Sequence, residues 1–463
     1  MIYTKNNNYE LHLGLMQDVL LELPAESVDA IVTDPPYELG FMGKSWDNTG
    51  VAFQKTTWEE CLRVLKPGGY LLAFGGTRTF HRIACAIEDA GFEIRDTIMW
   101  LYGSGFPKSL NIGLAIDKKN GVESEVIGSK KQTGAKFKLT QQLIDNGGFN
   151  DPERKEFEIK QAQNEWAGWG TALKPAYEPI IVARKPFSGS LVDNVLEYRV
   201  GGLNIDECRV EFNNGEVNRS IAIYQRGVPQ KGNNGWEHVN RGAHFDEETM
   251  KSMQLGRFPA NVIHDGSEEV VSGMPYTKNS ERGEQYNKDT AYTNTYTPAK
   301  AMYSADNTYG DEGNASRYFY CAKASKRDRD EGLYAFEEID GGTYQFREDG
   351  SLDGKIPARR NIHPTVKPVA LMQYLIRLVC PKGSIILDPF NGSGSTGKAV
   401  MYENKDRNAG YYYIGVEMTK EYLPISKARL DFAINDTETL DYDVVVTDND
   451  AVQVKRQTKV SLW

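Results

Sequence analysis

Two short stretches of the chain combine residue types and spacings that could do chemistry. In "TDPPY", Thr33 to Tyr37, an acid and two prolines follow an apolar run. Proline fixes φ at about −65° and has no backbone N–H, so Pro35 and Pro36 make a stiff turn that offers acceptors rather than donors. The Asp34 carboxylate and the Pro35 carbonyl form a rim, with the Tyr37 ring alongside. Such a rim suits an aromatic exocyclic amine, whose two hydrogens meet two acceptors while a ring covers the face of the base. Accepting those hydrogens raises electron density on a nitrogen whose lone pair is otherwise delocalised, which favours in-line attack on an electrophilic methyl group. An aromatic amine is too weak an acid to be deprotonated in its ground state, so the role of Asp34 is to orient and polarise it.

The second stretch is "DPFNGSGSTGKA", Asp388 to Ala399. From Gly392 to Lys398 it reads G-x-x-x-x-G-K, most of a phosphate loop. A phosphate loop continues with Ser or Thr, whose hydroxyl ligates magnesium, and position 399 is alanine. The pattern instead fits a strand ending in Asp388, glycines that let a ligand approach the backbone, and Glu417 closing the later run "YYYIGVE". An acid about 20 residues beyond the last glycine is placed to accept hydrogen bonds from ribose hydroxyls. The implied ligand is an adenosyl compound that needs no pyrophosphate.

Alternating elements must position these loops. "ESVDAIVTDPPY" predicts a buried strand over Val28 to Thr33, "TTWEECLRVLKPGGYLLAFGG" a helix, turn and strand, and "RTFHRIACAIEDAGFEIRDTIMW" the same again. The pattern returns in "PTVKPVALMQYLIRLVCPKGSIILDPF" and continues past Glu417. Strands alternating with helices imply a parallel sheet covered on both faces. Four regions follow: a catalytic half over 1–103, an inserted region over 104–355, a ligand-binding half over 356–430 and an acidic tail over 431–463. Within the insertion, "KPAYEPIIVARKP" (174–186) is expected to return to the sheet as a strand. Tyrosines recur among polar residues from Pro275 to Asn314, as in a mobile loop or one ordered by nucleic-acid stacking.

The net charge of −10 opposes a polyanionic partner only in part. Seven acids and no base lie between Leu430 and Gln453, so the remainder carries −3. Basic clusters without acidic neighbours include Lys130, Lys131, Lys136 and Lys138, and Lys355, Arg359 and Arg360. Five scattered cysteines form no C-x-x-C pair, which argues against a disulfide framework and a zinc site. No signal peptide or long apolar span occurs, and the expected setting is cytoplasmic.

These motifs resemble the S-adenosylmethionine-dependent DNA amino-methyltransferases of the N6-adenine/N4-cytosine type in which the catalytic motif, here "IVTDPPY", precedes the cofactor motif, here "LDPFNGSGSTG". "HPTVKP", His363 to Pro368, matches the segment leading into the cofactor half, and "FMGKSWD" and "SRYFYCAKAS" resemble phage and prophage enzymes. The resemblance implies a doubly wound, mostly parallel, seven-stranded Rossmann-like α/β sheet, sequence-permuted, with an inserted target-recognition region. It implies that Asp34, Pro35, Pro36 and Tyr37 hold the target base. For S-adenosylmethionine it implies a pocket shaped by Asp388, Phe390, Gly392, Gly394 and Thr396, with Glu417 on the ribose and His363, Thr365 and Lys367 near the methionine portion. Lys44, Lys130, Lys131, Lys136 and Lys138 are placed on DNA phosphates and Trp46 near a flipped base. Where the family often has Gly-Asp this chain reads Gly14-Leu15, which leaves open whether Asp18 substitutes.

The resulting expectation is methylation of adenine N6 in duplex DNA in a bacterial or phage-infected cell, without metal or membrane. Asp34 favours adenine, because Ser at that position often marks cytosine N4 in the family. The alternatives are an N4-cytosine enzyme, an RNA or protein methyltransferase, and a DNA-binding protein without turnover. A homodimer and a cognate restriction enzyme are compatible partners.

Overall fold

The computed structural model describes residues 1–39, 45–105, 109–131, 156–212, 228–232, 235–239, 255–277, 313–322, 326–339 and 358–435. Among them ten strands form one sheet: β1 (Ile2–Lys5), β2 (Tyr9–Leu13), β3 (Val28–Thr33), β4 (Leu65–Phe74), β5 (Glu93–Leu101), β6 (Tyr177–Arg184), β7 (Val262–His264), β8 (Tyr320–Cys321), β9 (Ile385–Asp388) and β10 (Tyr412–Glu417). The spatial order is β1-β2-β10-β9-β3-β4-β6-β5-β7-β8. From β2 to β4 all neighbours are parallel, as are β5, β7 and β8. β6 runs antiparallel to both β4 and β5, and β1 pairs antiparallel with β2.

The sheet exceeds the expected seven strands because β1 adds a hairpin at one edge and the middle region contributes β7 and β8 at the other. These edge strands hold two to four residues each, too few to show a hydrophobic period. The middle region is therefore partly built into the sheet. Its β6 occupies an interior position.

Central strands have apolar side chains on both faces. Along β3, Ala30 and Val32 face one core and Ile31 the other; along β6, Ile180 and Val182 oppose Ile181 and Ala183. This two-sided burial is what a helix-covered parallel sheet requires. Helices α1 (Met16–Glu22), α2 (Lys55–Val64) and α3 (Phe80–Asp89) cover one face. In the middle region stand α4 (Ile112–Asn120) and α5 (Leu191–Tyr198). The other face is covered by α6 (Val369–Val379), α7 (Ser395–Arg407) and α8 (Tyr422–Asn435). Helix α6 buries eight of its eleven residues, as befits a helix wedged between the sheet and α7.

Asp431, counted above with the acidic tail, belongs to α8. It is buried, accepts a 2.6 Å hydrogen bond from Tyr9 Oη and pairs with Lys427 at 2.7 Å. Residues 436–463 lie outside the described residues.

Strands β9 and β3 are direct neighbours, with Ile386 opposite Ala30 and Leu387 opposite Ile31. The two loops that leave their carboxyl ends, from Asp388 and from Asp34, therefore face one crevice. Open α/β sheets bind ligands at this position.

Candidate active site

The crevice opens into a cavity of about 1340 Å³. Asp34, Pro35, Pro36 and Tyr37 line it, together with Asp388, Phe390, Gly392, Thr396, Glu417, His363, Thr365, Lys367 and Trp46. Residues from both halves of the chain thus meet in one enclosure. Gly394 does not line it. Instead it begins α7 at φ +76°, and a side chain there would strike Ser426 and Leu430.

At the rim, Asp34 Oδ2 accepts a hydrogen bond from Lys367 Nζ at 2.7 Å, while Oδ1 is buried and has no partner. The same ammonium lies 3.2 Å from Glu178 Oε2 and donates to Tyr37 Oη at 3.1 Å. Tyr37 Oη in turn donates to Glu178 Oε2 at 3.0 Å. Burial alone would push the Lys367 pKa down, but Asp34 and Glu178 more than offset it and the group sits above its ordinary value as a fixed cation. Burial, then the charges of Asp34 and Glu178, raise the Tyr37 phenol well above its usual range, so it stays neutral. Downstream, the Asp47 carboxylate accepts from the backbone N–H groups of Glu38 (2.9 Å) and Leu39 (3.3 Å), which fixes the exit of the Pro-Pro turn.

Lys367, expected beside the methionine portion of a cofactor, lines the same cavity and bonds Asp34 and Tyr37. Glu178 was not singled out from the sequence. Its signal was an acid at the head of the apolar run of β6, and its importance depends on β6 lying between β4 and β5.

Asp388 joins the two loops. Its Oδ1 accepts from Thr33 Oγ1 (2.7 Å) and the Phe390 N–H (3.0 Å), and its Oδ2 from Thr396 Oγ1 (2.6 Å). Burial pushes its pKa up to about 6 despite these three donors. Its carboxylate holds the end of β3, the glycine loop and the start of α7 together.

Glu417 accepts from the Gly392 N–H through Oε2 and from the Thr419 N–H through Oε1, both at 2.7 Å. One donor on each oxygen leaves acceptor capacity toward the cavity, as a vicinal diol requires. Burial raises its carboxyl above the ordinary range. Gly392 has φ +51°, and a Cβ there would lie 2.9 Å from His363 Nε2. A cradle that only glycine leaves open, an acid with spare lone pairs and the Phe390 ring fit an adenosyl group.

His363 is held at its Nδ1 by the Thr365 carbonyl, 2.7 Å away, stacks on Trp46 (centroids 6.1 Å, 14°) and meets Tyr422 edge-on at 4.6 Å. Burial pushes its pKa to about 4, so it is a neutral imidazole whose Nδ1–H donates to that carbonyl. Leu15 lines the cavity where the family often has aspartate; Asp18 is exposed and does not.

Lys398, the lysine of the phosphate-loop pattern, turns away from the cavity. Fully buried, it bonds Glu331 at 2.9 Å, and burial followed by the charge of Arg429 lowers its pKa to about 8. Arg429 donates to the carbonyl and hydroxyl of Ser393 at 2.6 and 3.0 Å, bracing the glycine loop from below. Lys130 and Lys131 end a hairpin formed by Glu125–Lys131 and Glu156–Gln161. Lys44, Lys136 and Lys138 lie outside the described residues, as does most of the tyrosine-rich stretch. Among the described residues no group of three or more His, Cys, Asp or Glu could hold a metal ion, and no helix is long and apolar enough to cross a membrane.

At the switch point of a doubly wound sheet the glycine loop and the Asp34–Tyr37 turn thus line one cavity. The sequence profile of a DNA methylase family, the N6/N4 type, matches residues 28–214 and 235–428, and the chain belongs to that family. The type II methyltransferase M.HindIII of Haemophilus influenzae is 23% identical over 224 residues, 48% of this chain and 54% of that protein. The DNA adenine methyltransferase YhdJ of Escherichia coli is 39% identical over 71 residues, 15% of this chain and 22% of that protein. These matches span about half or less of the relatives' own lengths. Among solved structures, the cytosine-N4-specific PvuII DNA methyltransferase is 14% identical, covering 93% of this chain and 90% of that one at a TM-score of 0.38.

Proposed function

We propose that this protein transfers a methyl group from S-adenosylmethionine to the exocyclic N6 of adenine in duplex DNA, with the target base turned out of the helix. The observation that carries the reading is that Asp34, whose buried Oδ1 has no hydrogen-bond partner, lines the same cavity as Glu417 and the glycine loop. A buried acceptor without a donor is costly unless a ligand satisfies it, and an aromatic amine has the missing hydrogen.

When bound, S-adenosylmethionine supplies an electrophilic methyl group on a sulfonium. Glu417 holds the ribose diol, and Gly392 allows close approach of the adenosyl part beside neutral His363. On the other side Asp34 Oδ1 and the Pro35 carbonyl accept the two amine hydrogens while the Tyr37 ring lies over the base. The nitrogen lone pair would form the N–C bond as the C–S pair returns to sulfur, and the nitrogen, acidic once methylated, would give one proton to the Asp34 carboxylate. Asp34 increases the nitrogen's electron density along that path rather than ionising it beforehand. A base inside a duplex cannot reach a rim set within a cavity, so turning it out is a geometric requirement that costs about a few kcal/mol.

The test is nucleoside mass spectrometry of DNA from a methylation-free host expressing the chain. N6-methyladenine supports the reading, and N4-methylcytosine alone would replace the substrate. DNA binding with no transfer to any sequence would make the protein a binding module.

A further inference from the structure

The rim contains two groups, Lys367 and Glu178, that the proposed chemistry does not use directly. Glu178 comes from β6, the reversed strand, and is separated from Lys367 by most of the middle region, yet its Oε2 meets both Lys367 Nζ (3.2 Å) and Tyr37 Oη (3.0 Å). We propose that Glu178 is a positioning residue for the transfer: acting through Lys367, which holds Asp34 Oδ2, it fixes the orientation in which the Asp34 carboxylate meets the amine. The inference rests on the methyl-transfer reading above.

A lysine ammonium has three hydrogens and no acceptor. Here Asp34 Oδ2, Glu178 Oε2 and Tyr37 Oη account for all three. That has two effects. One Asp34 oxygen is held and the other remains free, which sets the carboxylate plane. No ammonium hydrogen is left over for a ring nitrogen of the base, where a strong donor would withdraw the electron density that methyl transfer needs. Glu178 also anchors the phenol of the ring that covers the base, so a single acid fixes two of the three contacts expected on the target.

The charges make Glu178 more than a spacer. Lys367 is faced by Asp34 and Tyr37 from the loop after β3, by Glu178 from β6, by Tyr102 just beyond β5 and by His363 from its own segment, and it lies over the Phe74 ring at 4.9 Å. Among these, Asp34 and Glu178 are the groups that hold the buried ammonium charged. With Glu178 neutral, Asp34 alone would offset the burial of Lys367.

The experiment compares wild type with Glu178→Gln, which keeps the shape and loses the charge. Expected are a fall in kcat on the order of 10-fold, an unchanged KM for S-adenosylmethionine, and an alkaline limb of kcat displaced to lower pH. Glu178→Asp, which keeps the charge at shorter reach, should hold that limb closer to wild type. Lys367→Met with Glu178→Gln should be no slower than Lys367→Met alone, since one residue acts through the other. Wild-type kcat and pH profile in Glu178→Gln, or additive losses in the double variant, would overturn the role. If Glu178→Gln fails to bind S-adenosylmethionine, Glu178→Asp carries the same test. Absence of transfer by the wild-type chain would overturn the methyl-transfer reading and this inference together, whereas transfer undiminished in the variants removes only the role of Glu178.

Discussion

Asp34→Asn is the smallest change that probes the rim, and the ion pair makes its outcome unusually specific. An asparagine fits the volume of aspartate and retains one acceptor, so on shape alone it could still orient an amine. Lys367 removes that freedom. Its ammonium, 2.7 Å from Asp34 Oδ2, can only donate, so the amide oxygen must face it and the amide NH₂ must take the place of Oδ1. A donor then confronts the amine's own hydrogens. The loss combines a charge-assisted hydrogen bond, about 1.5–3 kcal/mol, with a buried donor left unsatisfied, about 1–3 kcal/mol. A total of about 3 kcal/mol or more corresponds to a fall in kcat on the order of 10²-fold. The assay is single-turnover transfer of labelled methyl groups to DNA from a methylation-free host, with the affinity for S-adenosylmethionine measured calorimetrically. That affinity should be unchanged, because in the proposed reaction Asp34 touches the base and not the cofactor. Turnover within a few-fold of wild type would show that the amide oxygen still faces the cavity, and that Lys367 does not dictate which atom is offered.

Three further outcomes follow from the same geometry. The raised pKa of Asp388, about 6 against an ordinary 3.8, means that its folded-state contribution is complete below the ordinary value and is lost as pH rises toward 6; Asp388→Asn, which Thr33, Phe390 and Thr396 can still satisfy, should remove up to about 3 kcal/mol of that dependence in urea titrations between pH 4 and 7. A pH profile identical to wild type would refute it. Lys398→Met should cost about 3 kcal/mol of stability by leaving Glu331 short of a buried partner, yet leave cofactor affinity unaltered, because Lys398 does not line the cavity; weakened cofactor binding in a folded variant would contradict its placement. Gly392→Ala should lower cofactor affinity about 10-fold or more in calorimetry, since it combines φ +51° with a contact against His363, and full affinity would show that the loop can yield.

Much of this was legible in the chain because the strands carrying the site are continuous apolar runs ending in acids. Val28–Thr33, Ile385–Asp388 and Tyr412–Glu417 show themselves by composition, and residues after each are among those lining the cavity. Ala399 was enough to reject a phosphate loop, but only the fold shows that Lys398 is spent on Glu331. The partnership of Lys367 with Asp34, Tyr37 and Glu178 was not legible. It arises from pairings across 333, 330 and 189 positions, and no local period encodes such pairings. Edge strands as short as Tyr320–Cys321 are fixed by the neighbour they join rather than by their own pattern.

The Thr33–Asp388 hydrogen bond closes an interval of 355 positions with a contact of 2.7 Å. The entropy of closing a chain grows only logarithmically with its length, so doubling such an interval costs about 0.6 kcal/mol. The pairing of β9 with β3 and the contact of Thr396 Oγ1 with the Val32 carbonyl at 3.5 Å span the same interval, and each such hydrogen bond is worth about as much as that increment. The length of the intervening polypeptide is therefore nearly decoupled from the seam it must return to. Segments within it can lengthen, shorten or be exchanged at small thermodynamic expense, provided β6 still delivers Glu178 to the rim.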